Sequence, residues 1–156
     1  MEYIRTIPKS EANQELTAIY GFIEKNFGML PAVFQSMSLR QDLLDPMALF
    51  VKRLMLEKHE LSRFTKEILA AYVSKQNTCH YWIDAHGAMA MAQGYTKEQV
   101  QSILDDVRSS DLIDEATRSL LIFSEKLNDE PDKISAGDID KLREGNFSDE
   151  AILEAI

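Results

Sequence analysis

Asn77-Thr78-Cys79-His80-Tyr81-Trp82-Ile83-Asp84-Ala85-His86 holds the only cysteine, the only tryptophan and two of the three histidines of this 156-residue chain. A helix-length segment bearing Glu67 runs into it. Ser62 is a good N-cap for that segment, on which Phe64, Ile68, Leu69, Tyr72 and Val73 form an apolar face. Asn77 tolerates the left-handed conformation that stops a helix. A second helix then restarts at Thr78 or Cys79 and runs to Gln93, ending at Gly94. The spacing therefore predicts two consecutive helices joined by a very short connection.

The same pattern continues outward in both directions. Toward the N-terminus, Ser10 caps a helix with Leu16, Ile19, Tyr20, Ile23 and Phe27 at helical spacing, closed by Gly28. Pro31 opens a short turn through Phe34 and Met37. Leu43, Leu44, Met47, Phe50, Val51, Leu54 and Met55 then make another amphipathic stripe, in which Pro46 marks a kink or the true first turn. Toward the C-terminus, Thr96 and Gln99 form a capping box, and Asp114 caps a helix that stops before Pro131. Ser135 and Asp138 cap a short helix to Gly145. Ser148 caps a last one carrying Ala151, Ile152, Ala155 and Ile156. No stretch alternates as a strand does. The expectation is one all-α domain over residues 1–156. The last stripe breaks off at Ile156 in mid-pattern, so it is expected to face a partner subunit or residues that follow in a longer natural chain.

Composition narrows the function classes. The net charge of −9 provides no basic stripe for nucleic acid and disfavours anionic membrane surfaces. No apolar run approaches membrane-span length, and no signal segment opens the chain, so a cytoplasmic location is expected. A single cysteine permits no intrachain disulfide.

On a helix starting near Cys79, positions 79, 82, 83 and 86 share one face, which puts Cys79, Trp82 and His86 along one surface. Cys79 would lie in the first turn, where unpaired N–H groups and the helix dipole favour a thiolate. His86 titrates near neutrality and can exchange protons. Glu67, on the preceding helix, meets His86 if the two helices pack antiparallel. A carboxylate, an imidazole and a thiol so placed make a proton relay to a sulfur. Each residue also has an ordinary structural role: a lone cysteine as a small buried hydrophobe, a histidine as a satisfied core residue, Trp82 as packing, and Met89 and Met91 as filler. His80 and Asp84 read as a solvated pair and His59 as surface. No metal-ligand cluster is completed by the histidine spacing, and no cofactor is implied.

These residues resemble a known family, the carboxymuconolactone decarboxylase and alkylhydroperoxidase D-like superfamily, in particular its peroxidase-related subgroup. The family motif is a glutamate and, twelve residues on, Cys-x-x-Cys-x-x-x-His; Glu67, Cys79 and His86 fall at matching positions. Asn77, Tyr81 and Ala85-His86-Gly87-Ala88 agree with its surroundings. So do Gly28-Met29-Leu30-Pro31-Ala32-Val33-Phe34, the stretch from Leu120 to Leu127, and Gly145-Asn146-Phe147-Ser148-Asp149-Glu150. One position departs: Trp82 stands where the family has its second cysteine. That thiol is the one credited with attacking peroxide while the first resolves it as a disulfide, so the resemblance implies that the intramolecular dithiol cycle is unavailable here.

Three readings are compatible with this. In the first, a divergent peroxidase-like oxidoreductase reduces a hydroperoxide through Cys79, with Glu67 and His86 as relay and an external thiol as resolver. In the second, Glu67 and His86 perform redox-free acid/base chemistry on a small organic acid or lactone, with Trp82 as an apolar wall and Tyr81 beside it. In the third, the fold persists without catalysis. The resemblance further implies a homo-oligomer, a trimer or hexamer.

Overall fold

The hydrophobic spacing and caps resolve into helices throughout. The structure, a computed structural model, describes residues 3–156. Among them lie nine α-helices: α1 (Gln14–Phe27), α2 (Ala32–Ser36), α3 (Gln41–Val51), α4 (Arg63–Gln76), α5 (His80–Met91), α6 (Lys97–Asp105), α7 (Glu115–Asp129), α8 (Ala136–Glu144) and α9 (Asp149–Ala155). No strand occurs among the described residues, so the expected all-α class holds. The helices group into two packed units, Met1–Glu57 and Lys58–Ile156.

The first unit closes around Leu16, Ile19, Tyr20 and Ile23 of α1, with Phe34, Leu44 and Ala48 packed on them. Asn13, not Ser10, caps α1: its side chain accepts from the Leu16 amide at 2.8 Å, while Ser10 sits in a preceding 3₁₀ turn, Lys9–Glu11. Gly28 ends α1 at φ 78°, a left-handed conformation that glycine adopts without steric cost. Pro46 lies inside α3 and neither starts nor stops it; the helix continues and passes into a π-helical turn, Lys52–Leu56. Within this unit the α3 stripe is only partly covered, with Leu44 and Ala48 buried and Leu43 and Phe50 exposed.

The second unit is built on α4, which packs against α5, α6 and α7. Ile68, Ala71 and Tyr72 of α4 meet Ala90 of α5, Val100, Ile103 and Leu104 of α6, and Leu121 of α7 in one core. Each large aliphatic side chain sealed here contributes about 1.5–3 kcal/mol. The predicted caps form: the Thr96–Gln99 capping box, the Asp114 carboxylate accepting from the Thr117 amide at 2.7 Å, and Ser148 accepting from Ala151 at 3.0 Å. Asp138 closes the Ser135 box and also receives Lys126 at 2.7 Å; these hydrogen bonds hold its carboxyl well below the usual carboxylate range. Arg118 ties down the α6–α7 connection by donating to the carbonyls of Arg108 at 2.7 Å and Ser110 at 2.8 Å. Among the described residues, no helix is long and apolar enough to cross a membrane.

The C-terminal stripe differs from its expectation. Ala151 and Ile152 are buried against Leu61, Leu120, Phe123 and Leu142 of the same unit, and Ala155 packs beside them; Ile156 and Leu153 stay exposed. A charged pair seals this packing. Lys66 of α4 and Glu154 of α9, both buried, form an ion pair, and the second carboxylate oxygen accepts from the Leu61 amide at 2.8 Å. Removing one member of a buried pair strands the other charge, which costs about 3–5 kcal/mol, whereas replacing both by apolar groups is often neutral. E154A should therefore lower unfolding stability by ~3 kcal/mol or more, and the K66M/E154L double variant should recover most of that loss. Urea unfolding of the three proteins checks this.

Candidate active site

The connection between α4 and α5 positions the site. Asn77 is the C-cap of α4 and keeps a right-handed φ of −84°; the left-handed residue is Thr78, at φ 54°. The Thr78 amide donates to the Lys75 carbonyl at 3.0 Å and the Cys79 amide to the Ser74 carbonyl at 2.9 Å. That paired closure is the Schellman arrangement, in which the residue after the cap must turn left-handed whatever its side chain. Cys79 then serves at once as the N-cap of α5, which begins at His80 rather than at Thr78 or Cys79. Three residues thus reverse the chain, and α5 returns antiparallel along α4.

That reversal brings Glu67 and His86 together. Nδ1 of His86 lies 2.6 Å from Oε2 of Glu67, whose side chain is completely buried, while the imidazole is 16% exposed. Nδ1 facing a carboxylate is the donor of this hydrogen bond, leaving Nε2 as the nitrogen free for other chemistry. Oε1 of Glu67 makes an ion-pair contact with the Arg63 guanidinium at 2.6 Å, one helical turn earlier on α4. Arg63 also donates to the Met89 sulfur of α5 at 3.4 Å. Sequence reasoning missed Arg63, although its spacing of four from Glu67 is a recognisable helical ion-pair signal.

Trp82 and His86 do share a face: their rings stack with centroids 5.1 Å apart and planes 23° from parallel. Tyr81 meets the indole edge-on at 4.9 Å and is itself half exposed. Cys79 is partly exposed and makes no side-chain cap. It precedes His86 by seven residues, roughly 10 Å along the helix axis, with Trp82 on the intervening turn. His80, Asp84 and His59 are exposed, as their surface reading expects. Among the described residues no group of three His, Cys, Asp or Glu side chains comes together.

A cleft of about 440 Å³ reaches the Glu67 carboxylate's partner Arg63, while neither Glu67 nor His86 lines it. Arg63, Phe64, Gln93, Tyr95, Leu112 and Thr117 contribute to its lining. Its aromatic side is a tight stack of Phe64 on Tyr95, 3.8 Å between centroids. Arg63, a quarter of its side chain exposed, belongs both to this cleft and to the buried carboxylate.

A conserved-domain profile of the Carboxymuconolactone decarboxylase family matches residues 41–125, more than half of the chain and all of α4 and α5. The chain belongs to that family. No curated protein sequence matches it. Among solved structures it is similar to an uncharacterized peroxidase-related protein from Silicibacter sp. TM1040, at 24% identity and TM-score 0.82, covering 99% of this chain and 84% of that one. A second, described as an alkylhydroperoxidase AhpD core and uncharacterized peroxidase-related protein from Ralstonia eutropha JMP134, is 22% identical at TM-score 0.83, covering 97% and 80%. A third is a variant of the debrominase Bmp8 in complex with 2,3,4-tribromopyrrole, 22% identical at TM-score 0.80, covering 99% and 81%. At these identities the likeness establishes the fold alone.

Thr78 gives the site's geometry a direct test. A β-branched residue in the left-handed region costs about 1–2 kcal/mol that glycine does not incur. T78G should raise unfolding stability by ~1 kcal/mol while leaving the His86 imidazole NMR resonances in place; a loss of stability would mean that Thr78 is not strained.

Proposed function

We propose that this chain is an acid/base enzyme of its family, acting on a small organic acid or lactone, with His86 as the proton-transfer group. The observation that carries this reading is the 2.6 Å contact between His86 Nδ1 and a carboxylate with no exposed surface. Glu67 accepts the Nδ1 proton, so it fixes the tautomer and stabilises the imidazolium formed when Nε2 takes a proton from the substrate. The acid proton is one on carbon next to a carbonyl or carboxyl group; its electron pair passes into that group, and Nε2–H returns a proton to the product. Trp82 covers one face of the imidazole and keeps water from it.

A second reading, hydroperoxide reduction, is favoured by the partial exposure of Cys79 at the N-cap of α5. There the thiolate sulfur attacks the terminal peroxide oxygen, the O–O bond breaks, and the alkoxide leaves as alcohol after taking a proton. An external thiol then reduces the sulfenic acid, with water released, to a mixed disulfide that a second thiol opens. In this reading Trp82 occupies the family's second cysteine position, so no intramolecular disulfide closes the cycle. The stacked indole, one turn from each residue, is the reason to rank it second.

Deuterium incorporation from D2O into a panel of small carboxylic acids and lactones, followed by NMR, separates the two. H86A should slow exchange about 10²-fold or more, E67Q should slow it less, and C79S should leave it unchanged. W82C should gain hydroperoxide consumption that the parent protein lacks. If C79S instead abolishes a hydroperoxide-consuming activity of the parent protein, with dimedone trapping a sulfenic acid on Cys79, the second reading replaces the first.

A further inference from the structure

Ser62 caps α4 by accepting the Thr65 amide at 3.0 Å, and Ile68, Ala71 and Tyr72 supply its core. The guanidinium of Arg63, in the first turn of the same helix, reaches the far oxygen of the Glu67 carboxylate that touches His86. We propose that Arg63 is a positioning residue that sets how readily the Glu67–His86 pair takes up a proton. The inference rests on the proton-transfer reading of His86, and it extends the site by a residue outside the motif.

Charge counting gives the sign. With Arg63 present, ionised Glu67 beside neutral His86 makes a cluster of zero net charge, and the next proton raises it to +1. Without the guanidinium the same cluster carries −1 in a buried position, and the next proton neutralises it. That proton is held more tightly without Arg63 whether it rests on the imidazole or on the carboxylate, since the titration belongs to the pair. Groups that face His86 come from both helices of the pair. From α4 they are Glu67 and, through it, Arg63; on α5 itself the neighbour is the uncharged Trp82 ring. From α6 the side chain that approaches this turn is apolar, Val100 beside Gly87. Arg63 lines the cleft and also contacts the carboxylate, so it acts on the pair through Glu67.

The chain has an intrinsic reporter. Trp82 is its only tryptophan and stacks on His86, so protonation of that ring sets a cation against the indole face and changes its emission. Fluorescence titrations of the parent protein, R63Q and R63K test the proposal, with H86Q assigning the transition by its loss. The expected result is a midpoint about one pH unit or more higher in R63Q, and near the parent value in R63K, which keeps the charge. R63M, which keeps the apolar stem, replaces R63Q if the latter does not fold. A folded R63Q or R63M that titrates at the parent midpoint overturns the proposal. The titration requires no turnover: absence of exchange activity in every protein would sink the proton-transfer reading while leaving this result legible on its own.

Discussion

A carboxylate with no solvent exposure is the constraint from which the second packed unit follows. Burying Glu67 as an ion costs several kcal/mol unless its oxygens are met by charge-assisted partners. One partner, Arg63, can come from the same helix, because residues four apart stack on one face. The other, His86, must come from a neighbouring helix lying antiparallel and close. The chain achieves this with a three-residue reversal, and the closure of that reversal forces Thr78 into a conformation that its branched side chain disfavours. Local strain at Thr78 and charge compensation at Glu67 are therefore two ends of one arrangement.

Most of the helical architecture was legible because it is local. Stripes at three- and four-residue spacing, and caps such as Thr96, Asp114 and Ser148, state their helices without reference to the rest of the chain. The discrepancies arise where two local signals compete. Asn77 is the better left-handed residue by propensity, yet the hydrogen-bond closure of α4 assigns that conformation to Thr78. Ser10 and Asn13 are both good caps, and Asn13 prevails because its oxygen reaches the Leu16 amide. Pro46 is a helix breaker in isolation, yet α3 continues through it.

What the sequence could not disclose is the burial of charge. Lys66 and Glu67 are adjacent, and an amphipathic reading sends both to solvent, beside the apolar face of Ile68 and Tyr72. Both are buried, in opposite directions: Lys66 toward Glu154 at the far end of the chain, Glu67 toward His86. A helix packed against three others keeps little solvent face, so polar positions such as Lys66 and Glu67 are satisfied by partners distant in sequence. Period and propensity carry no information about such partners. The Glu67–His86 pairing was accessible only by combining the motif with an antiparallel packing, and the stripe at Ala151 and Ile152 looked uncovered because its cover comes from helices folded back upon it.

The order of residues along α5 separates two chemistries that could otherwise merge. Helical side chains lean toward the N-terminus, so His86 reaches back onto the preceding turn and finds an indole there. The thiol of Cys79 lies one turn beyond that indole. An indole has a single N–H that does not titrate near neutrality and no second site to pass a proton on, so it insulates rather than relays. Glu67 meets His86 from the α4 side with Arg63 behind it, whereas the thiol lies beyond the indole. A single aromatic side chain at position 82 thus stands in sequence between the Glu67–His86 pair and the residue that carries the thiol, one turn from each.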